Sequence, residues 1–179
     1  MIFVATDLPG AVIVDLDRKE DERGFFARSW CQDEFATHGL NPRLVQCNVS
    51  YNKLAGTLRG MHLQIAPHEE AKLVRVTSGA IYDVIIDLRP ESKTYTRHLA
   101  VELSADNHRA LYIPEGFAHG FITLNDHTEI FYQMSAFYAA DSQRGVRYND
   151  PAFGIRWPVP KTVISDKDKA YPNFVPVRR

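Results

Sequence analysis

A chain of 179 residues with 45% hydrophobic and 24% charged content fits one globular domain, burying roughly 70% of the surface its unfolded chain exposes. The formal net charge of −1 excludes a protein that attracts nucleic acid by charge, and no apolar stretch approaches the length of a membrane span. The opening apolar run lacks a positive leader and is cut off at Asp7, which argues against a signal peptide.

Taken in chain order, residues 11–16 predict a strand, 17–22 a charged turn and 24–28 the next strand. Residues 32–38 predict a short helix with Gly39 as its stop. Cys31 and Cys47 match no metal spacing and predict reduced thiols in a cytoplasm. Residues 43–50 and 57–64 are strand-like, and 72–77 and 80–88, joined at Ser78-Gly79, predict a hairpin. Further strands are predicted at 98–103, 110–113, 120–124 and 129–135. Close-spaced strands with little helical periodicity predict an all-β sandwich or barrel. With no repeat or linker, residues 1–179 form one predicted domain. The tail from Tyr148, with Pro151, Pro158, Pro160 and Pro172, is expected to run irregularly over the barrel.

Alternation predicts what faces the interior. In 57–64, Leu58, Gly60, His62 and Gln64 share a face, and Gly60 leaves room for a ligand to approach the backbone. Lys72 aligns with Val74 and Val76, and Asp83 with Ile81 and Ile85. A charged group on such an apolar face is paired or functional, since burying it alone is unfavourable. In 129–135 either Ile130, Tyr132 and Met134 face inward or Glu129, Phe131 and Gln133 do.

Two segments match the halves of a cupin-type barrel motif. The first is Gly56-Thr57-Leu58-Arg59-Gly60-Met61-His62-Leu63-Gln64, and the second Pro114-Glu115-Gly116-Phe117-Ala118-His119. A metal-binding cupin would carry His-x-His in the first half, and here the second histidine is Gln64. An amide oxygen is a weak ligand for Zn, Fe or Mn beside imidazole, so no metal and no cofactor are expected. A histidine freed from coordination can act as a proton-transfer base. Singly, each candidate has an ordinary structural explanation. His62 could be a hydrogen-bonded core histidine, Lys72 a solvated strand end, and Asp83 with His119 a structural pair. Tyr132 and Tyr138 could be packing residues, and Asp168 reads as surface charge on composition. Without a glycine-rich phosphate loop, a phosphorylated ligand would need arginines such as Arg23, Arg59, Arg144 or Arg147.

From Asp21-Glu22-Arg23-Gly24-Phe25-Phe26 to Pro172 the chain resembles the dTDP-4-dehydrorhamnose 3,5-epimerase family. The residues that carry the likeness are Gln46-Cys47-Asn48-Val49-Ser50, the two barrel motifs, Lys72-Leu73-Val74-Arg75-Val76, Asp83-Val84-Ile85-Ile86-Asp87-Leu88-Arg89 and Ser165-Asp166-Lys167-Asp168. The resemblance implies an all-β, cupin-type jelly-roll barrel with a few short helices, metal-free and homodimeric, that inverts carbons flanking a ketone in a nucleotide-diphosphate sugar. It implies His62 as the base with Asp168 as its dyad partner, Tyr132 as the acid on the opposite face, and Lys72 on the ketone oxygen. Asp83 and His119 would support the site. Arg59, Gln46 and Asn48 match positions contacting phosphates or sugar, Arg23 and Phe26 positions near the nucleotide across the dimer, and Tyr138 an aromatic beside the sugar.

Three departures bear on the sugar, the nucleotide and the number of inverted centres. Leu63 stands where an aromatic is frequent, Gln143 where an acid is common, and His68-Glu69-Glu70-Ala71 differs in the approach to Lys72. The alternatives are a mono-epimerase or keto-isomerase, a binding barrel without turnover, and a metal-dependent cupin oxygenase.

Overall fold

The computed structural model describes residues 1–176. Four short strands, β1 (Ile2–Ala5), β2 (Val12–Asp15), β3 (Lys19–Asp21) and β4 (Gly24–Phe26), lead into helix α1 (Gln32–Thr37). The body of the fold is β5 (Gln46–Asn52), β6 (Thr57–Gln64), β7 (Lys72–Ser78) and β8 (Ala80–Asp87), then β9 (His98–Ser104), β10 (Ala110–Ile113), β11 (Phe117–Thr123) and β12 (Thr128–Met134). Two small strands, β13 (Gln143–Gly145) and β14 (Val163–Ile164), and helix α2 (Asp166–Lys169) follow.

One sheet runs β1-β2-β10-β7-β12-β5 and the other β13-β6-β11-β8-β9, with β14 added on β6. Their facing sides make the central core. Val74, Val76, Leu111 and Ile130 from the first sheet meet Ile81, Ile85, Leu103 and Phe121 from the second. Each side chain buried this fully contributes about 1.5–3 kcal/mol. The outer face of the first sheet packs Leu73, Ala110 and Tyr112 under Phe35 of α1, and Gly39 in the left-handed region (φ +69°) ends that helix as expected. On the outer face of the second sheet, the tail lays Val146, Phe153 and Trp157 over Met61, Val84 and Ile86.

Two expectations are corrected. Residues 72–88 do not form a hairpin: β7 pairs with β10 and β12, whereas β8 pairs with β9 and β11 in the opposite sheet. Gly79 (φ +74°) turns the corner between sheets, and a Cβ there would lie 2.4 Å from Thr128 Oγ1. Strands covered on both faces carry no polar side to reveal which neighbour they join. The charged stretch 17–22 is not simply a turn, because Lys19–Asp21 pairs with Gly24–Phe26 in an exposed hairpin.

Candidate functional site

A cavity of about 400 Å³ opens between the sheets. Its wall takes Asn48 and Ser50 from β5, Arg59 and His62 from β6, Lys72 from β7, His119 and Phe121 from β11, and Tyr132 and Met134 from β12. Ile130, Tyr132 and Met134 are therefore the inward set of β12, and Lys72 continues the inward row of Val74 and Val76.

Strict alternation along β6 does not hold. His62 pairs with His119 and Arg59 with Phe121, so three steps on β6 match two on β11, a β-bulge. Arg59 and His62 thereby face one cavity, while Leu58 is fully buried opposite Ile122. Gly60 sits at the bulge with φ +130°, and a Cβ there would lie 2.5 Å from Gly120 Cα. Only a glycine allows the two strands to approach so closely. Gln64, read as the vacated ligand position, donates to the carbonyls of His68 (2.8 Å) and Phe137 (3.2 Å) and accepts from Ala139 N–H at 2.7 Å. Its amide ties loops together and is fully occupied doing so. Among the described residues no group of three or more His, Cys, Asp or Glu side chains converges as a metal site.

The outer edge of β6 explains how Asp168 arrives. β14 pairs with residues 57–58 and β13 with residues 62–64, leaving Gly60 N–H open between them. The chain leaving β14 enters α2 at once, capped by Ser165, whose Oγ accepts Asp168 N–H at 3.1 Å. Asp168 Oδ2 then accepts Gly60 N–H (3.2 Å), and Oδ1 lies 2.6 Å from His62 Nε2. Burial would raise the Asp168 pKa, but His62 and the Gly60 N–H outweigh it and hold the carboxyl below its ordinary value. Composition made Asp168 a surface charge; it is buried.

A second imidazole–carboxylate pair lies alongside. His119 Nε2 is 2.7 Å from Asp83 Oδ1, both buried, and Asp83 Oδ2 has no hydrogen-bond partner among the described residues. The Tyr132 ring stands edge-on to His119 with centroids 6.1 Å apart. Burial, reinforced by Asp83, drives the Tyr132 phenol well above its usual pKa, against smaller opposing effects of Arg59 and Ser50. Tyr132 is thus a neutral phenol at neutral pH. Lys72 Nζ lies 3.0 Å from Glu70 Oε1, and Arg59 Nε donates to Asn52 Oδ1 at 2.8 Å.

The remaining predicted residues lie outside this wall. Gln46 accepts Tyr138 N–H at 3.1 Å, and Tyr138 is exposed, its hydroxyl donating to Gln143. Arg23 pairs with Asp21 on the exposed β3–β4 hairpin beside Phe26, which is 78% exposed. Arg144 donates to the carbonyls of Asp141 and Gln143, and Arg147 to Asn173. Sequence reasoning missed Ser50, Phe121 and Glu70. Ser50 is two residues beyond Asn48 in β5 and Phe121 two beyond His119 in β11, so period-two alternation from known neighbours would have found both, whereas Glu70 lies before β7 begins and no strand periodicity marks it.

The family model described as dTDP-4-dehydrorhamnose 3,5-epimerase matches residues 5–175. A protein of that name from Shigella flexneri is 40% identical over 176 residues, covering 98% of this chain and 97% of its own. The crystal structure of the Bacillus anthracis dTDP-4-dehydrorhamnose 3,5-epimerase, with TDP and PPi bound, is 43% identical with a TM-score of 0.92, covering 97% of this chain and 99% of that one. A Legionella pneumophila dTDP-6-deoxy-D-glucose-3,5-epimerase in complex with dTDP-4-keto-L-rhamnose is 34% identical with a TM-score of 0.88, covering 95% and 90%. With the family model matching nearly its whole length and its backbone superposing on these relatives, the chain belongs to the dTDP-4-dehydrorhamnose 3,5-epimerase family.

Proposed function

We propose that this protein is a metal-independent epimerase that inverts C3 and C5 of a dTDP-linked 4-keto-6-deoxyhexose, the isomerisation that leads to dTDP-4-dehydro-L-rhamnose. One observation carries the reading: a carboxylate-bound histidine, a neutral phenol and a buried ammonium line the same cavity.

A hydrogen beside a ketone is a poor acid, so the enolate must be stabilised where its charge develops. Lys72 supplies the positive charge. His62 removes the proton; with its Nε2–H donated to Asp168, the neutral ring keeps its lone pair on Nδ1, and Asp168 stabilises the imidazolium that forms. Base catalysis of this kind contributes about 10²–10⁴-fold. Inversion then needs a proton from the other face, which Tyr132 donates from its hydroxyl; solvent then reprotonates the phenolate and takes the proton from the His62 imidazolium, so both groups are reset. The same sequence at the second flanking carbon completes the reaction. Asp83 orients His119 beside Tyr132, and Arg59 and Asn48 hold the diphosphate and sugar at the rim.

We assign the protein to the cytoplasm and to a homodimer. Among the described residues no helix is long and apolar enough to cross a membrane. Arg23 and Phe26, standing on an exposed hairpin, suit contact with the nucleotide of a partner subunit, with Gln46 and Tyr138 at the sugar edge. Sedimentation at micromolar concentration is expected to give twice the chain mass. Incubation with the 4-keto substrate in D₂O is expected to place one deuterium at C3 and one at C5. Label at one carbon alone identifies a mono-epimerase, and no label with intact ligand affinity identifies a binding barrel.

A further inference from the structure

Glu70 lies against the catalytic wall but has no part in the mechanism above. Its side chain is 6% exposed and its Oε1 is 3.0 Å from Lys72 Nζ, while its Oε2 is buried with no hydrogen-bond partner among the described residues. Among the described residues, Glu70 is the one partner of the Lys72 ammonium. A dehydrated carboxylate is unfavourable unless opposite charge answers it, so the placement of Glu70 depends on Lys72. The converse dependence matters more for chemistry. An ammonium on a four-carbon stem has no direction of its own, and the apolar neighbours Val74 and Val76 offer it nothing to bond.

The backbone explains why the pair is held. Ala71, between the two residues, donates its N–H to Ser135 Oγ at 2.7 Å and accepts Ser135 N–H at 3.0 Å. The Ala71 and Leu73 side chains pack into the outer core, so Lys72 leaves the chain on the opposite side, into the cavity, and Glu70 meets its ammonium from the segment just before β7.

We propose that Glu70 is a positioning residue for the epimerisation, holding the Lys72 ammonium where the enolate oxygen develops. The inference rests on the role given to Lys72 under the proposed function. The carboxylate also competes for the charge the enolate needs, so Glu70 assists only because a fixed ammonium is worth more than a stronger but wandering one.

The test measures kcat, KM and thermal melting for Glu70→Gln, Glu70→Ala, Lys72→Met and the Glu70→Ala/Lys72→Met double variant. Because misplacing a catalytic group by about 1 Å lowers the rate on the order of 10²-fold, kcat should fall about 100-fold in Glu70→Ala and about 10-fold in Glu70→Gln, with KM within about 3-fold of native. Lys72→Met should lose most activity, and the double variant should lose no more, because Glu70 acts through Lys72. A kcat in Glu70→Gln at or above the native value overturns the proposal, and so does a double-variant loss equal to the product of the single losses. If Glu70→Ala does not fold, the isosteric Glu70→Gln decides alone. Native activity in Lys72→Met removes the role of Lys72 itself, whereas a collapse in Lys72→Met with native rates in both Glu70 variants overturns only the inference about Glu70.

Discussion

His62 and His119 are directly opposed on β6 and β11, yet each gives its Nε2 to a different carboxylate, Asp168 and Asp83 respectively. The two imidazoles therefore have separate electrostatic partners in spite of their proximity. Their exposure separates them further: the His62 side chain is 30% exposed and that of His119 5%. The proposed proton acceptor must be open to both substrate and solvent; the part-exposed His62 on the cavity wall meets that requirement, while His119 is enclosed.

His62→Ala should abolish deuterium incorporation at both C3 and C5, whereas Asp168→Asn should retain the pattern and slow it by about 10²-fold, since the base remains but its imidazolium loses a counter-charge. Mass spectrometry of product formed in D₂O checks both. Unchanged rates in Asp168→Asn would show that the 2.6 Å contact is structural only.

Tyr132→Phe separates proton removal from proton return. Substrate recovered from D₂O should still exchange its flanking hydrogens through His62, while inverted product falls by about 10²-fold. Loss of exchange and inversion together would reassign Tyr132 to substrate binding.

Gly60→Ala should lower stability by at least about 2 kcal/mol, since φ +130° is hostile to a side chain and the new Cβ meets the Gly120 backbone. For a chain of this size that is a fall in Tm of about 4–8 °C. Gly154→Ala, also at positive φ (+63°) but with nothing within 4 Å of the new Cβ, should fall less. Equal falls at the two positions would remove the close approach of β6 and β11 as the cause.

Asp87 gives an acid limb to stability. Burial would raise its pKa, but the Arg89 guanidinium and the hydroxyls of Ser92 and Thr94 hold it at about 2 against an ordinary 3.8. A carboxyl with a depressed folded value stabilises fully above its unfolded pKa and loses that contribution as pH falls. About 2 kcal/mol should therefore disappear between the ordinary value of 3.8 and about 2. Urea melts across this range should show the slope in the native chain and a flatter one in Asp87→Asn.

Local pattern decided much of this protein. Period-two alternation puts Lys72, Val74 and Val76 on one face and Asp83 between Ile81 and Ile85, and helix α1 stops at Gly39 because few residues other than glycine adopt its conformation readily. Those features depend on a residue and its near neighbours, so they are legible in the chain. Tertiary structure alone decided that β7 and β8 part into opposite sheets, that a bulge brings Arg59 and His62 to one cavity, and that Asp168 crosses 106 positions to reach His62. It also decided that Arg23 and Phe26 stand away from the wall that holds His62. Each of these outcomes is a pairing of distant backbone edges, and hydrophobic alternation specifies which face of a strand is buried without specifying which strand lies beside it.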